Sequence, residues 1–317
     1  MTEQEIWHIL VSPLCKLLCG LTVGILIANL LEALHWSRFL ASFSRPFARI
    51  AHFGHSAQTA FTLAFFSSHA ANANLSQAYQ KGLISRRELF LASLFTSFPA
   101  YLTHLPTLFF LIFPVLGFAT LTYISLALLA ALLRTLAVLV LARKLLPGSL
   151  GEPEAQGCER KTFSLRSVLS KVISRTLARL PGLLCATIPV YLLVFYAQEQ
   201  GWFETLRLWL ADQPFWIASL SPKAAGIVVL QLFAELGLAL GAAASLLALS
   251  GISHEEVICA LLIGNILSTP LRALRHQFPS YAGYFGPLLG MHLVLVNQSF
   301  RFFFMLLVTA GYLYWIR

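Results

Sequence analysis

A chain of 317 residues with 58% hydrophobic and only 11% charged side chains, and a mean hydropathy of +0.75, is too apolar to cover its surface in water; soluble domains carry about 25% charged residues. The formal net charge of +9 does not point to nucleic acid, because the basic residues gather between apolar runs, as the positive-inside bias of membrane proteins requires. The expectation is an all-α polytopic membrane protein whose first partner is the lipid bilayer.

The opening residues, MTEQEIW, hold Glu3 and Glu5 and no Lys or Arg, the wrong charge for a secretory signal peptide. The apolar run that follows, about 10–34, is expected to stay as a helix. Five cysteines, at 15, 19, 158, 185 and 259, form no CxxC pair. Cys15 and Cys19 share a helix face, where small apolar fillers are a plainer reading than a soft-metal site. Next comes "WSRFLASFSRPFARIAHFG", with Trp, Phe and Arg at helical spacing, which predicts a helix lying in the membrane interface.

"LAFFSSHAANANLSQAYQKGLISRRE" then begins like a membrane helix and turns polar. Ser67, Ser68, His69, Asn72 and Asn74 stand where hydrocarbon belongs. After "GLIS" two further apolar segments follow, the first interrupted by Thr96, Ser97, Pro99, Thr103 and His104.

The same order recurs after about 168 residues, an internal repeat. "LLC" at Leu17–Cys19 returns at Leu183–Cys185, Trp36 answers to Trp202, and Pro46–Phe47 to Pro214–Phe215. "ISRRELFLA" from Ile84 parallels "ISHEEVICA" from Ile252. The organisation expected is a first membrane repeat over 1–142, a basic linker over 143–179 and a second membrane repeat over 180–317.

Charge sets the topology. From Trp36 to Arg87 the basic residues are Arg38, Arg45, Arg49, Lys81, Arg86 and Arg87, with no acid. Both ends of the first polar stretch are thus positive, which favours a re-entrant hairpin over a crossing. The linker has eight basic residues against three acidic ones and is expected in the cytoplasm. Each half then makes three crossings, which inverts the halves and puts both termini outside. The fold expected is two inverted structural repeats, each with an interface helix, a re-entrant hairpin and three spanning helices, about six crossings in all. The location expected is the cytoplasmic (inner) membrane of a prokaryote.

Irregular backbone at membrane depth is tolerated where protein or a water-filled cavity satisfies it, and broken helices meeting at the midplane form the binding sites of secondary transporters. The candidate substrate-binding residues are therefore Ser67, Ser68, His69, Asn72 and Asn74 from the first hairpin, and Thr96, Ser97 and His104 from the helix after it. In the second half they are Glu235 and Gly237 at the hairpin tip, Asn265, Ser268 and Thr269 in "GNILSTPLRALRHQFP", and Arg301 in "LVLVNQSFRFFFMLLV". A lone acid such as Glu235 costs a few kcal/mol in the bilayer unless it pairs or faces water. An arginine as deep as Arg301 faces the bundle interior and pairs, with Glu235 and a substrate anion as the two options. Arg134 occupies a similar place in the first half. Arg272, Arg275 and His276 read as snorkelling residues at the cytoplasmic interface. Each hydroxyl taken singly is expected to bond back to its own helix.

At the hairpins and the "GLIS…E…A" turns the chain resembles the nucleoside-recognition or Gate family. This family includes the gate domains of ferrous iron transport protein B and the sporulation maturation proteins A and B; the order of elements is also similar to that of concentrative nucleoside transporters. The resemblance implies membrane transport or gating. Iron-transporter gates carry a cysteine at the hairpin tip; here "SSHAANA" has Ser68 near that position, and no G-protein domain accompanies it.

The function expected is a secondary transporter or flippase that moves a small polar, anionic organic solute or a lipid headgroup. The alternatives are a divalent-metal permease and a non-transporting membrane partner in a larger complex. HExxH, GxSxG and P-loop motifs are absent, so no enzyme activity is expected. The expectation is no cofactor beyond a coupling proton or sodium ion, no nucleic-acid partner, and assembly either as a homo-oligomer or with a second membrane protein.

Overall fold

The structure, a computed structural model, describes Trp7 and residues 11–33, 52–146, 165–202, 221–233, 236–249 and 251–316. Among these every regular element is a helix. In chain order they are α1 (Ser12–Ala33), α2 (His55–Ala64), α3 (Ser68–Gln80), α4 (Arg86–Leu116), α5 (Ala119–Leu145), α6 (Leu165–Glu199), α7 (Pro222–Phe233), α8 (Leu236–Ala248) and α9 (His254–Arg272). A five-residue π turn, Ala273–Gln277, leads into α10 (Phe278–Phe285), and α11 (Pro287–Trp315) follows.

Four of these stretches are long and apolar enough to cross a bilayer: α4, α5, the continuous run His254–Phe285, and α11. The protein is an all-α membrane protein. Against an expectation of about six crossings, α1 contributes a shorter apolar stretch, Ser12–Ile27. The 35-residue α6 carries Arg166, Lys171, Arg175 and Arg179 in its first half, so part of the expected linker is helical. The expected interface helices fall largely on residues 34–51 and 203–220, outside the described residues.

Local chemistry explains where the helices start and stop. Ser85 caps α4, its Oγ accepting from the Glu88 N–H at 3.2 Å. Ser253 caps α9 in the same way, and the Glu256 carboxylate returns to the Ser253 N–H at 3.0 Å, a full capping box. In the first half the Glu88 carboxylate accepts instead from the Gly54 N–H at 2.9 Å, which pins the start of α2 to the start of α4. The α4–α5 and α10–α11 corners turn on Gly117 (φ 54°) and Gly286 (φ 79°), conformations that a Cβ disfavours. Pro99, Pro106 and Pro114 lie inside α4, which runs on as one helix through them.

Apolar side chains gather in two main clusters. One joins α2, α3, the first half of α4 and the end of α5, and stacks Phe61 on Phe95 with ring centroids 3.8 Å apart. The other joins α7, α8, α9, the second half of α4 and the end of α11. Lipid tails are as apolar as these side chains, so close packing rather than exclusion of water holds such helices together. The α1–α4 contact shows how close it is. Gly20 and Gly24 sit one turn apart against Pro114 and Phe110, and a Cβ on Gly20 would lie 2.6 Å from Pro114 Cβ. This is the small-xxx-small contact by which membrane helices approach. α1 also meets α6, where Asn29 Nδ2 donates to Thr176 Oγ1 at 2.9 Å.

Candidate functional site

A cavity of about 440 Å³ lies between the two apolar clusters. It is lined by residues 96–108 of α4, 123–134 of α5, 265–272 at the end of α9 and 297–305 of α11. Ala64 and Ser68 flank the α2–α3 turn, and Gln231 and Leu236 flank the α7–α8 turn; all four line it as well. Both short-helix pairs therefore border the same space.

Asn265 is the hub. Its Oδ1 accepts from Arg272 Nη2 at 2.6 Å and from Arg301 Nη2 at 2.9 Å. Its backbone oxygen accepts from Arg272 Nη2 at 3.1 Å and from Thr269 Oγ1 at 2.7 Å. Its Nδ2 donates to Tyr123 OH at 3.4 Å. Two guanidinium groups thus converge on one neutral oxygen. Like charges about 5 Å apart repel by about 3 kcal/mol at an effective dielectric of about 20; Arg272 has further interactions besides Asn265.

Asn265 is itself held by α7. The Gln231 amide, 3% exposed, faces Leu261 O with its nitrogen at 3.3 Å and the Asn265 N–H with its oxygen at 3.2 Å. Those are the two backbone groups that an α-helix joins, so the side chain bridges one step of the helical ladder from outside. Gly264 permits it, because a Cβ there would overlap the end of the Gln231 side chain.

Arg134 enters from α5. It is 8% exposed, lines the cavity, and has no hydrogen-bond or ion-pair partner among the described residues. His69, His104 and His276 line the same space, whereas the described lining includes no Asp or Glu. A polar chain closes another wall: Asn297 Nδ2 donates to Ser93 Oγ at 3.0 Å, and Ser93 Oγ lies 3.4 Å from Tyr281 OH. Gln298 donates to Gln277 and ties α11 to the π turn.

Eight of the residues expected from sequence come together in the cavity: Ser68, His69, Asn72, Thr96, Ser97, His104, Asn265 and Arg301. His69 Nδ1 sits 3.5 Å from both Ser280 Oγ and Tyr284 OH, the outer limit of a hydrogen bond. Thr96 donates to Ser93 O, Ser97 to Leu94 O and Ser268 to Asn265 O, as expected for hydroxyls taken singly.

Others stand aside. Ser67 caps α3, its Oγ accepting from the Ala70 N–H at 3.2 Å. Ser268 and Thr269, 1% and 3% exposed, turn back onto their own helix, and neither they nor Asn74 and Gly237 line the cavity. Glu235 lies outside the described residues.

Arg272 departs from the expectation. Read as a snorkelling residue, it lines the cavity, because it stands two helical turns beyond Asn265 and reaches back to it. His276, Gln277 and Ser280 also line the cavity, carried there by the π turn and α10. Such insertions of π geometry recur at functional sites. Among the described residues no group of three or more His, Cys, Asp or Glu is placed to share a metal ion.

Comparison with known proteins finds two relatives in the archaeon Methanocaldococcus jannaschii, both termed uncharacterized proteins. One is 26% identical over 291 residues, covering 92% of this chain and 90% of the relative. The other is 28% identical over 252 residues, covering 78% and 77%. No family model matches the chain, and no solved structure matches it.

Proposed function

We propose that this protein is a secondary transporter or flippase of the cytoplasmic membrane that carries a small anionic organic solute, or the anionic headgroup of a lipid, through the mid-depth cavity. The observation that carries this reading is the convergence of Arg272 and Arg301 on the neutral oxygen of Asn265. An anion placed there relieves the repulsion and replaces a poor acceptor with a charged one, and charge-assisted hydrogen bonds are roughly twice as strong as neutral ones.

The order of elements supports the transport half of the reading. Each half runs long helix, two short helices of 10–13 residues, long helix, long helix. Each short pair contributes residues to the cavity lining. Inverted repeats with hairpins at a midplane site are a recurrent plan among secondary transporters, and the nucleoside-recognition or Gate resemblance points the same way. In this reading α2–α3 and α7–α8 are the two re-entrant hairpins.

The test is thermal stabilisation of purified protein by organic anions, neutral nucleosides, Fe²⁺ and Zn²⁺, repeated on Arg301→Ala and Glu235→Gln. A ligand of the folded state raises its melting temperature by mass action. The expected result is stabilisation by an anion that Arg301→Ala abolishes, followed by flux of that anion in proteoliposomes. Stabilisation by a metal alone, lost in Glu235→Gln and indifferent to Arg301→Ala, would replace the reading with a metal permease.

A further inference from the structure

Three features of the cavity narrow the class of anion. The first is the convergent pair at Asn265, where Arg272 and Arg301 point donors at one spot. A planar carboxylate matches a single guanidinium edge to edge, whereas a phosphoryl group offers three acceptor oxygens in a tetrahedral fan. The second is charge. Arg272 has further interactions besides Asn265, so the count rests on two other cations. Arg301 has Asn265 as its hydrogen-bond partner among the described residues, and Arg134, 8% exposed on the same cavity, has none. A cation held in a cavity without a countercharge is costly, and two of them match a dianion better than a monoanion. A phosphate monoester carries about −1.5 to −2 charges at neutral pH. The third is size. At about 440 Å³ the cavity has the volume of a small-molecule pocket and far exceeds a bare phosphate.

Resting on the anion-carrier reading above, we infer that the ligand is an organic phosphate monoester. Its phosphoryl group sits between the Arg272–Arg301 pair and Arg134, and its organic part lies along Tyr101 and Met305. The same chemistry is found on a soluble sugar or glycerol phosphate and on a lipid phosphate monoester. The lining does not distinguish them, but experiment does.

The experiment is calorimetric titration of the full-length protein at one pH, near 7.5, with glycerol 3-phosphate, the phosphodiester glycerophosphoethanolamine, succinate and acetate. Parallel titrations use nanodiscs containing phosphatidic acid or phosphatidylglycerol, a lipid monoester and a lipid diester. Expected is at least about tenfold tighter binding of the monoester than of the diester or succinate, in the soluble or the lipid series, since one charge-assisted hydrogen bond is worth about that much. Arg134→Gln collapses the monoester preference to about twofold or less, and Arg134→Lys retains part of it. Both variants are accepted only if they elute as the wild type does and keep its helical circular dichroism. If anions bind without a monoester preference, or if Arg134→Gln weakens monoester and diester alike, the inference fails and the anion-carrier reading stands. If no anion binds the wild type, both fail. The series that responds identifies the source as soluble or lipid.

Discussion

After the turn of the first short pair, α2 and α3, come Ser68, His69 and Asn72, and all three line the cavity. At the 168-residue offset read from the sequence, the corresponding residues are Leu236, Gly237 and Leu240 of α8, and Leu240 is 1% exposed in the second apolar cluster. The helices that follow are polar in both halves. Ser97 and His104 of α4 align with Asn265 and Arg272 of α9, so hydroxyl and imidazole answer to amide and guanidinium. The first half brings polarity to the cavity on its short and its long helices, and the second half brings it mainly on the long helices and the π turn, with Gln231 of α7. One plan of elements thus serves two chemistries, and the cavity gains donors from both sides without burying polar groups in both clusters.

That comparison breaks most visibly when polarity is moved across it. Leu240→Asn puts an amide among buried apolar side chains and removes volume, which should destabilise the protein by about 4 kcal/mol, read as a lowered denaturation midpoint in detergent. The reciprocal Asn72→Leu should fold with a loss below about 1.5 kcal/mol while weakening anion binding. Next in size is Asn265→Leu. It removes the acceptor that Arg272 and Arg301 share, costing about 3 kcal/mol without ligand because hydrogen bonds to charged groups are lost, and a bound anion should restore much of that stability. Gly264→Val forces Gln231 off the α9 backbone and should cost about 2 kcal/mol by overpacking, with the aligned Thr96→Val in the first half nearer neutral. Smallest is the pair of caps: Ser85→Ala and Ser253→Ala should each cost about 1 kcal/mol. Glu88→Ala should exceed Glu256→Ala, because Glu88 holds Gly54 at the start of α2, 34 residues away, whereas Glu256 closes a local box on Ser253.

How much of this was legible in the sequence depends on the range of the interaction. The polar tip at Ser68–Asn72 announced itself because a helix-length apolar run stops there, and Asn265 and Arg301 stood out as polar groups deep in apolar segments. The hydroxyls behaved as local chemistry dictates, spending themselves on their own helices. The bond from Arg272 to Asn265 was not foreseen, because the distance of Arg272 from the apolar run suggested a snorkelling side chain; only the i, i+7 spacing, the same face two turns on, hinted at it. Arg134 was visible, but its place in the cavity depends on how α5 packs against α9 and α11, which one strand of sequence does not encode locally. Gln231 carried no signal of its own. Its partner is a missing side chain, Gly264, and that complementarity exists only across two helices.

The claim at the centre of this account, that arginines make the mid-depth cavity a site for anions, can be tested without knowing the ligand. His104 lines the cavity and is exposed to it. In a background where the five native cysteines are replaced, His104→Cys is labelled with an anionic and a cationic methanethiosulfonate reagent of similar size, each rate divided by its rate with a free thiol. The account predicts that the anionic reagent is favoured and that Arg301→Gln reduces the preference. A cationic preference, or an anionic one indifferent to Arg301→Gln, would contradict it.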